Sequence, residues 1–413
     1  MFFFYQIIIS FILILSPIII FFRIKKNKED KKRFIEKFSF PTKNKKRGSL
    51  IWLHGASVGE IMSIVPLIKY YEKKKSIKQI LITSSTLSSS NILKTFNFKK
   101  TIHQYYPIDQ IFFVKKFLNY WKPSIAIFVE SEIWPCMYTE IHKNKIPLVL
   151  LNARLTKKTF ARWMIINFFA KKIFNKITIA YPQNFETKSF LKKLGLKKIY
   201  FIGNLKFTEN RDINLSKIPH KLKKQFKSKK IWVASSTHEN EEIFCAKAHL
   251  VLKRKYKNLL TIIIPRHVHR VNEIKNELNN LDLNIATHKS KIKNINKVDI
   301  YIVDTFGETK KFHNISCSVF LGGSIINRGG QNPLEAARLG ARILHGSNTE
   351  NFKDVYKLLR TLKISKKVTS PEKLASLIIF KKNKNIGIKI KNIGKKILNK
   401  TVRELDNLID NEV

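Results

Sequence analysis

The stretch "LIWLHGASVGE", Leu50 to Glu60, joins a hydrophobic run to the start of a helix. Leu50 to Leu53 are apolar, and a glycine with other small residues follows them. Ser57 and Glu60 have the S-x-x-E spacing of a helix capping box. The pattern predicts a strand that passes directly into a helix, Ile61 to Tyr71, as in a βαβ unit. Glu60 has two open roles: a cap whose carboxylate reaches the Ser57 amide, or a catalytic base at the mouth of a cleft.

The same alternation of short apolar runs and amphipathic stretches continues along the chain in two series. The strand candidates of the first series are Leu50 to His54, Ile80 to Thr83, Ile125 to Val129, Leu148 to Leu151 and Ile177 to Tyr181. Those of the second are Ile231 to Ser235, Leu259 to Pro265, Val298 to Asp304, Ser318 to Ser324 and Ala341 to Gly346. Strands that alternate with helices predict parallel sheets.

We therefore predict an α/β protein with two Rossmann-like domains that face each other across a cleft. The first comprises residues 49–211 and the second residues 231–413, which end in a basic helix from Ile386 to Leu408. The polar, Lys-rich residues 212–230 are predicted to be the linker.

The composition allows a two-domain globular enzyme, because the chain has 413 residues and is 44% hydrophobic. Its formal charge of +50 favours an anionic partner such as nucleic acid, an acidic membrane surface or a phosphorylated substrate. Compositional drift explains the charge equally well, because Lys, Asn, Ile and Phe are abundant throughout. Cys136, Cys245 and Cys317 lie far apart, which argues against a disulfide framework or a zinc site.

The amino-terminal segment, residues 1–22, contains no charged side chain and is long enough to cross a bilayer as a helix. It lacks the basic start and cleavage site of a signal peptide, so we predict a single-pass anchor. The basic connector, residues 23–48, follows at once, and the positive-inside rule keeps everything after the helix in the cytoplasm.

Candidate site residues follow the apolar runs, where open α/β sheets bind their ligands. Glu130 and Glu132 come directly after the run that ends at Val129. They could serve a site, hold a metal, or pair with an arginine such as Arg154. Lys206, in "GNLKF", could neutralise an anionic group of a ligand or lie on the solvated surface.

The second series has basic and glycine-rich segments at the same places. Arg266 and His267 follow a buried run, where arginine can bind a phosphate with two donors, and no metal partners accompany the histidine. The segment "LGGSIINRGGQNPLEAA", Leu321 to Ala337, combines glycine pairs with a predicted helix start at Asn332 that would offer free amides to a phosphate. Glu335 could accept hydrogen bonds from ribose hydroxyls.

The ordered motifs "HGASVGE", "ESEIWP", "NARL", "GNLKF", "STHENEE", "IPRH", "DTFGE" and "GGSIINRGGQNPLEA", with the anchor before them, resemble the 3-deoxy-D-manno-octulosonic acid (Kdo) transferases. The resemblance covers nearly the whole chain. It implies a GT-B fold and transfer of Kdo from CMP-Kdo to the lipid A precursor, with inversion and without metal or other cofactor. It also implies work at the inner membrane, with the acceptor on the first domain and the nucleotide sugar on the second.

The resemblance also assigns roles to residues. Glu60 becomes the general base, and Glu130 with Lys206 becomes the pair that stabilises the transition state. The CMP-binding residues become Pro265, Arg266, Phe306, Gly307, Glu308, Asn332, Pro333, Leu334 and Glu335. A helix amino terminus is expected to keep Glu60 ionised as a weak base. The chain departs from the family pattern at Gln331, Cys136 and Asn240.

Two other functions are compatible with parts of the sequence. A GT-B transferase with a different nucleotide sugar would share the fold and the donor loop. A membrane-tethered nucleic-acid-binding protein would explain the charge, although no recognisable module occurs and the basic residues are spread along the chain. We therefore expect no specific nucleic-acid partner.

Overall fold

The computed structural model describes residues 1–208, 218–290 and 294–410, and these form two compact units. The first unit contains the chain up to residue 210 and returns at Gly394, and the second contains the residues between them. Each unit has its own parallel sheet with helices packed on it, as the alternating pattern predicts.

The sheet of the first unit has six parallel strands in the order β3-β2-β1-β4-β5-β6. Strands β1 to β6 are Leu50–His54, Gln79–Ser84, Thr101–Tyr105, Ile125–Val129, Leu148–Ala153 and Ile179–Pro182. This strand order is that of a Rossmann fold. Strands are added to one side of the sheet from β1 to β3 and to the other side from β4 to β6, so the direction of addition reverses between β1 and β4. The carboxyl ends of these two neighbouring strands therefore flank the place where such a sheet binds its ligand.

Helices surround this sheet because all six residues of β2 and all five of β1 and β4 are buried, which requires cover on both faces. Helices α1 to α8 are Phe2–Lys25, Val58–Tyr71, Leu87–Lys94, Ile111–Trp121, Pro135–Lys143, Lys157–Ile165, Asn167–Phe174 and Phe185–Lys193. Two hydrophobic clusters fill the space on the two faces, one of them around Trp52 and Trp121 and the other around Tyr71.

The sheet of the second unit has seven parallel strands in the order β13-β12-β11-β7-β8-β10-β9. Strands β7 to β13 are Lys230–Thr237, Leu259–Pro265, Ile285–Thr287, Ile300–Ile302, Ser318–Leu321, Arg342–His345 and Ser365–Lys367. The order reverses between β7 and β11, so the carboxyl ends of these strands flank the second predicted binding edge.

The helices of the second unit are mostly short. Helices α9 to α16 are His220–Phe226, Glu241–Lys253, Val271–Asn279, Thr309–Ile315, Leu334–Arg338, Lys353–Thr361, Pro371–Leu377 and Lys384–Asp410. The prediction of a helix start at Asn332 was wrong by two residues: α13 begins at Leu334, and the Asn332 side chain accepts a hydrogen bond from the Leu334 amide at 3.1 Å.

The terminal helix α16 corrects the predicted composition of the second domain. Its last part belongs to the first unit, where Val402, Leu405 and Ile409 are buried against the sheet. Asp406 accepts hydrogen bonds there from the hydroxyl groups of Tyr70 and Tyr71. The apolar face of the helix thus completes the hydrophobic core of the first unit.

The predicted linker, residues 212–230, lies partly outside the described residues. Its described part is not free of structure, because it contains α9, His220–Phe226, and the first residue of β7.

The amino-terminal helix α1 packs on the first unit along one side. Among the described residues it is the one helix that is long and apolar enough to cross a membrane, and most of its apolar side chains are exposed.

Candidate active site

Glu60 lies in the first turn of α2, directly beyond the carboxyl end of β1. Half of the capping box is present: the Ser57 hydroxyl accepts a hydrogen bond from the Glu60 amide at 3.3 Å, but the carboxylate accepts from the Ala56 amide where the capping box predicted the Ser57 amide. The Glu60 carboxylate reaches further back than a capping box requires. It accepts hydrogen bonds from the Ala56 amide at 2.7 Å and from the Ser57 hydroxyl at 3.0 Å. The side chain is therefore held in one position, whatever its chemical role.

Burial raises the pKa of Glu60 to about 7, and the negative charges of Glu132 and Glu130 add to this effect. The hydrogen bonds from Ser57 and Ala56 act in the opposite direction but are weaker. The expectation of a fully ionised, weak base was therefore wrong, because desolvation and two neighbouring carboxylates outweigh the helix terminus.

Glu130 follows β4, the neighbour of β1, and forms an ion pair with Lys206. The Lys206 ammonium lies 2.8 Å from a carboxylate oxygen of Glu130, and both side chains are largely buried. Arg154 is not the partner of this carboxylate: its amide donates to the Glu130 carbonyl at 3.3 Å. The Glu130 backbone has a φ of +60°, a strained conformation that is common at functional sites.

Glu132 lies at the same edge but has different partners from Glu130. Its carboxylate accepts a hydrogen bond from the Trp134 indole at 3.0 Å and lies 3.2 Å from Nε2 of the buried His54. The other ring nitrogen of His54 lies 2.9 Å from the Thr83 hydroxyl, which also accepts from the Trp52 indole. The same ring nitrogen lies 3.2 Å from the Thr83 carbonyl, so the buried His54 ring connects Glu132 to Thr83.

Two asparagines that sequence reasoning missed position the Lys206 loop. Asn152, at the end of β5, accepts a hydrogen bond from the Leu205 amide at 3.0 Å. Asn204 accepts one from the Lys206 amide at 2.9 Å. Asn152 has a φ of +52°, a conformation that asparagine adopts more readily than most residues. An asparagine directly after an apolar run was the signal that could have indicated this role.

In the second unit, the glycine loop after β11 is held by a buried carboxylate that the sequence reasoning also missed. Glu241, in the first turn of α10, accepts hydrogen bonds from the amides of Gly323, Ser324 and Ile325 at 2.7 to 3.0 Å, and from that of His238. The loop approaches so closely that a Cβ on Gly322 would lie 2.6 Å from the Glu241 carboxylate. Glu241 thus fixes the backbone at the binding edge between β7 and β11.

Basic side chains gather around this edge. Burial lowers the pKa of His238, and the positive charges of His267, Arg328, Arg266 and Arg270 lower it further. Arg266 directly follows β8 and is exposed, as the sequence predicts. The concentration of positive charge makes this edge suitable for an anionic group.

The remaining predicted nucleotide-binding residues lie on two segments of the same unit. Phe306 is 81% exposed, and no atom lies within 4 Å of a Cβ built on Gly307, so this segment is open to a ligand. Glu308 pairs with Lys311, and Glu335 lies 3.7 Å from the ammonium of Lys310. Pro333 and Leu334 are buried. Helix α13, which begins at Leu334, has five residues.

The predicted sites therefore form two groups. Glu60, Glu130 and Lys206 belong to the first unit, and the residues from Pro265 to Glu335 belong to the second. Within the described residues, no group of three or more His, Cys, Asp or Glu side chains has the arrangement of a metal site.

The fold and the two sites define the class of protein. Two Rossmann-like parallel sheets, each with its site at a reversal of strand order, constitute the GT-B architecture. Two known structures support the fold alone: a glycosyltransferase from Rickettsia africae, with a TM-score of 0.58, and a UDP-GlcNAc 2-epimerase from Neisseria meningitidis, with a TM-score of 0.52. Each is 14% identical, and they cover 89% and 86% of this chain and all of the respective structure.

The family follows from sequence comparison. The family described as 3-deoxy-D-manno-octulosonic-acid transferase (kdotransferase) matches residues 32–209. The 3-deoxy-D-manno-octulosonic acid transferase of Rickettsia bellii is 33% identical over 386 residues, which are 93% of this chain and 92% of the relative. That of Haemophilus influenzae is 29% identical and covers 75% and 73% of the two chains. The chain belongs to the Kdo transferase family and is a glycosyltransferase, which confirms the resemblance.

Proposed function

We propose that this protein transfers Kdo from CMP-Kdo to a hydroxyl group of the lipid A precursor in lipopolysaccharide biosynthesis, with inversion at the anomeric carbon. In this reaction the bond between that carbon and the CMP phosphate breaks, and the phosphate oxygen keeps the electron pair. The acceptor oxygen forms the new bond from the opposite face and loses its proton.

Glu60 is proposed to accept that proton. A general base is most effective when its pKa lies near the working pH, and burial with two nearby carboxylates raises the pKa of Glu60 to about 7. The hydrogen bonds from Ala56 and Ser57 fix the carboxylate but leave it able to accept a proton. This combination of raised pKa and fixed position is the observation that carries the proposal.

Glu130 and Lys206 are proposed to stabilise the transition state as a pair. The sugar gains positive character as the CMP leaves, and its carboxylate remains negative. A buried ammonium 2.8 Å from a buried carboxylate supplies both signs of charge at fixed positions. Neither group has to reorganise during the reaction, because Asn152 and Asn204 already hold the lysine loop.

The donor is proposed to bind to the second unit and the acceptor to the first. Pro265 and Arg266, Phe306 to Glu308, and Asn332 to Glu335 would then contact CMP. The positive charge around His238 would offset charge on the departing phosphate. We propose that no metal or other cofactor takes part, since Lys206 and Arg266 can supply the positive charge.

Helix α1 is long and apolar enough to associate with a membrane, and Kdo transferases act at the inner membrane. We propose that both units lie on the cytoplasmic side, because the basic connector follows the helix directly. The predicted single crossing of the bilayer stays a prediction, and the contacts of α1 favour another arrangement.

Donor selectivity separates this function from its alternatives. Purified full-length protein in vesicles is given the lipid A precursor and CMP-Kdo, and transfer is measured while CMP, UDP or GDP competes. We expect transfer that CMP inhibits most strongly. Stronger inhibition by UDP or GDP would indicate another nucleotide sugar, and salt-dependent DNA binding without any transfer would indicate a nucleic-acid-binding protein.

A further inference from the structure

The amino-terminal helix has a side that differs from the rest of its surface. The residues of α1 that are shielded from solvent recur every three or four positions, which places them on one stripe of the helix. This stripe contains every uncharged polar side chain of the helix: Tyr5, Gln6, Ser10 and Ser16. The stripe faces the first unit, and the rest of the helix, apart from its last residue Lys25, is apolar and exposed.

The amino end of the helix is attached to the first unit by polar and aromatic contacts. The Tyr5 hydroxyl donates a hydrogen bond to the carboxylate of the buried Asp109 at 2.7 Å. The rings of Phe2 and Tyr5 each lie 6.4 Å from the ring of Phe169.

Asp109 also accepts hydrogen bonds from the Cys136 and Met137 amides, at the start of α5. The same carboxylate thus joins α1 to the helix that follows Glu132 and Trp134.

The carboxyl end of the helix is attached to the same unit. Arg23 forms an ion pair with the buried Glu29 at 3.0 Å, and Lys37 contacts the same carboxylate. Ser16 and Ile20 are buried between the two ends. A helix of 24 residues is about 36 Å long, so contacts at both ends hold it lengthwise against the unit.

A single crossing would break these contacts. It would carry Tyr5 away from Asp109 and leave a buried carboxylate with one donor fewer. It would also expose the polar stripe to lipid hydrocarbon, where side chains such as Gln6 are unfavourable.

We propose that α1 lies lengthwise on the first unit and inserts its apolar side into one leaflet of an anionic bilayer, without crossing it. The exposed fractions of Phe3, Phe11, Ile14 and Phe22 are 70%, 63%, 72% and 55%, and these side chains form the surface that enters the lipid. Phe168, which is 73% exposed next to the anchored Phe169, extends that surface.

Positive charge surrounds this surface, which selects anionic lipid. Lys25 is the last residue of the helix and Lys26 and Lys28 follow it, and the Lys172 ammonium lies 4.4 Å from the centre of the Phe168 ring. Apolar insertion and attraction to anionic head groups act together in interfacial helices of this kind. The proposal concerns the membrane geometry alone and does not depend on the proposed reaction.

Thiol cross-linking of the full-length protein in sealed vesicles of zwitterionic and anionic lipid tests the proposal. Phe2→Cys with Phe169→Cys, in a Cys317→Ser background, is treated with a short bifunctional thiol reagent, and the linked peptide is identified by mass. Phe3→Cys with Phe169→Cys is the matched control, because Phe3 points away from the unit. We expect at least tenfold more cross-linking for the first pair than for the control.

The unsubstituted protein gives a second measurement that does not depend on the folding of the variants. A membrane-impermeant amine reagent is added outside vesicles whose protein units face outward, and labelling of the Met1 amino group is measured. Labelling like that of the exposed lysines of the units supports the lengthwise arrangement. Protection of Met1 that only detergent removes, or equal cross-linking of the two cysteine pairs, would overturn it. Neither measurement uses transfer activity, so its failure is distinct from that of the proposed function.

Discussion

Replacement of Glu60 by glutamine should stabilise the fold at alkaline pH while removing the base. In the folded protein the pKa of Glu60 is raised to about 7 from an ordinary value of 4.5. Between these two pH values the folded state retains a proton that the unfolded chain has released. The wild type therefore loses stability as the pH rises from 4.5 to 7, and the glutamine variant does not.

The size of the effect follows from the pKa. At about 1.4 kcal/mol for each pKa unit, ionisation of Glu60 opposes folding by about 3 kcal/mol at pH 8. Glutamine keeps the volume of the side chain but loses part of the charge-assisted hydrogen bonding from Ala56 and Ser57, which we set at about 1 kcal/mol. The net gain of about 2 kcal/mol corresponds to a rise of about 4–8 °C in Tm for a unit of this size.

Thermal unfolding of wild type and Glu60→Gln at pH 8 and pH 5 measures the effect. We expect the variant to have the higher Tm at pH 8 and the difference to shrink towards pH 5. Glu72→Gln is the matched control with the opposite sign. Hydrogen bonds from Thr101 and from the amides of Lys99 and Lys100 outweigh the burial of Glu72 and hold its pKa below the usual range. Its replacement should lower Tm at pH 8. If Glu60→Gln failed to raise Tm at pH 8 while Glu72→Gln lowered it, the electrostatic account of Glu60 would be refuted.

Three further predictions concern the other site residues. Lys206→Met should lower the transfer rate about 100-fold or more, because it leaves the Glu130 carboxylate buried without its ammonium partner. Lys206→Arg should retain part of the wild-type rate in the same assay. Glu241→Gln should destabilise the protein by about 2 kcal/mol in denaturant unfolding and weaken CMP binding, because the wild-type carboxylate accepts four backbone hydrogen bonds. An unchanged free energy of unfolding together with an unchanged CMP affinity would contradict the role of Glu241 in the loop. Arg266→Ala should weaken CMP binding about tenfold in titration calorimetry without changing Tm, because the side chain is exposed, and an unchanged affinity would remove it from the donor site.

The sheets could be predicted from the sequence because their strands are buried on both faces. Leu50–His54 and Ile125–Val129 have the predicted bounds, since each is a continuous apolar run: the first ends in His54, and Glu130 follows the second. Thr101–Tyr105 was missed because it contains a histidine and a glutamine and lies at the edge of the sheet, where burial selects less strongly. Ser365–Lys367 is also an edge strand, and it carries two lysines.

The candidate site could be predicted in part. Strand ends in a parallel sheet point to one edge, so Glu60 and Glu130 could be placed near each other before their partners were known. The partnership of Glu130 with Lys206 could not, because the lysine loop lies far along the chain and two asparagines decide its course. The raised pKa of Glu60 could not be predicted either, since it depends on burial and on Glu132, whose position follows from the fold.

The terminal helix and the anchor show a further limit of sequence patterns. An amphipathic period indicates that a helix packs on something, but it does not indicate on which unit. Helix α16 follows the second unit in sequence and ends on the first. In α1, the stripe of Tyr5, Gln6 and Ser16 is hidden among so many apolar residues that length and hydropathy dominate the pattern.

The pH dependence of Kdo transfer by wild type and Glu60→Gln shows whether Glu60 is the base. Single-turnover transfer from CMP-Kdo to the lipid A precursor is followed from pH 5 to pH 9 in both proteins. We expect the wild-type rate to rise with pH and to level off above a midpoint near 7, since Glu60 must lose its proton before it can accept another. The variant should be at least 100-fold slower at pH 8, without that midpoint. Equal rates for the two proteins at pH 8, with the same pH profile, would contradict the assignment of Glu60 as the base.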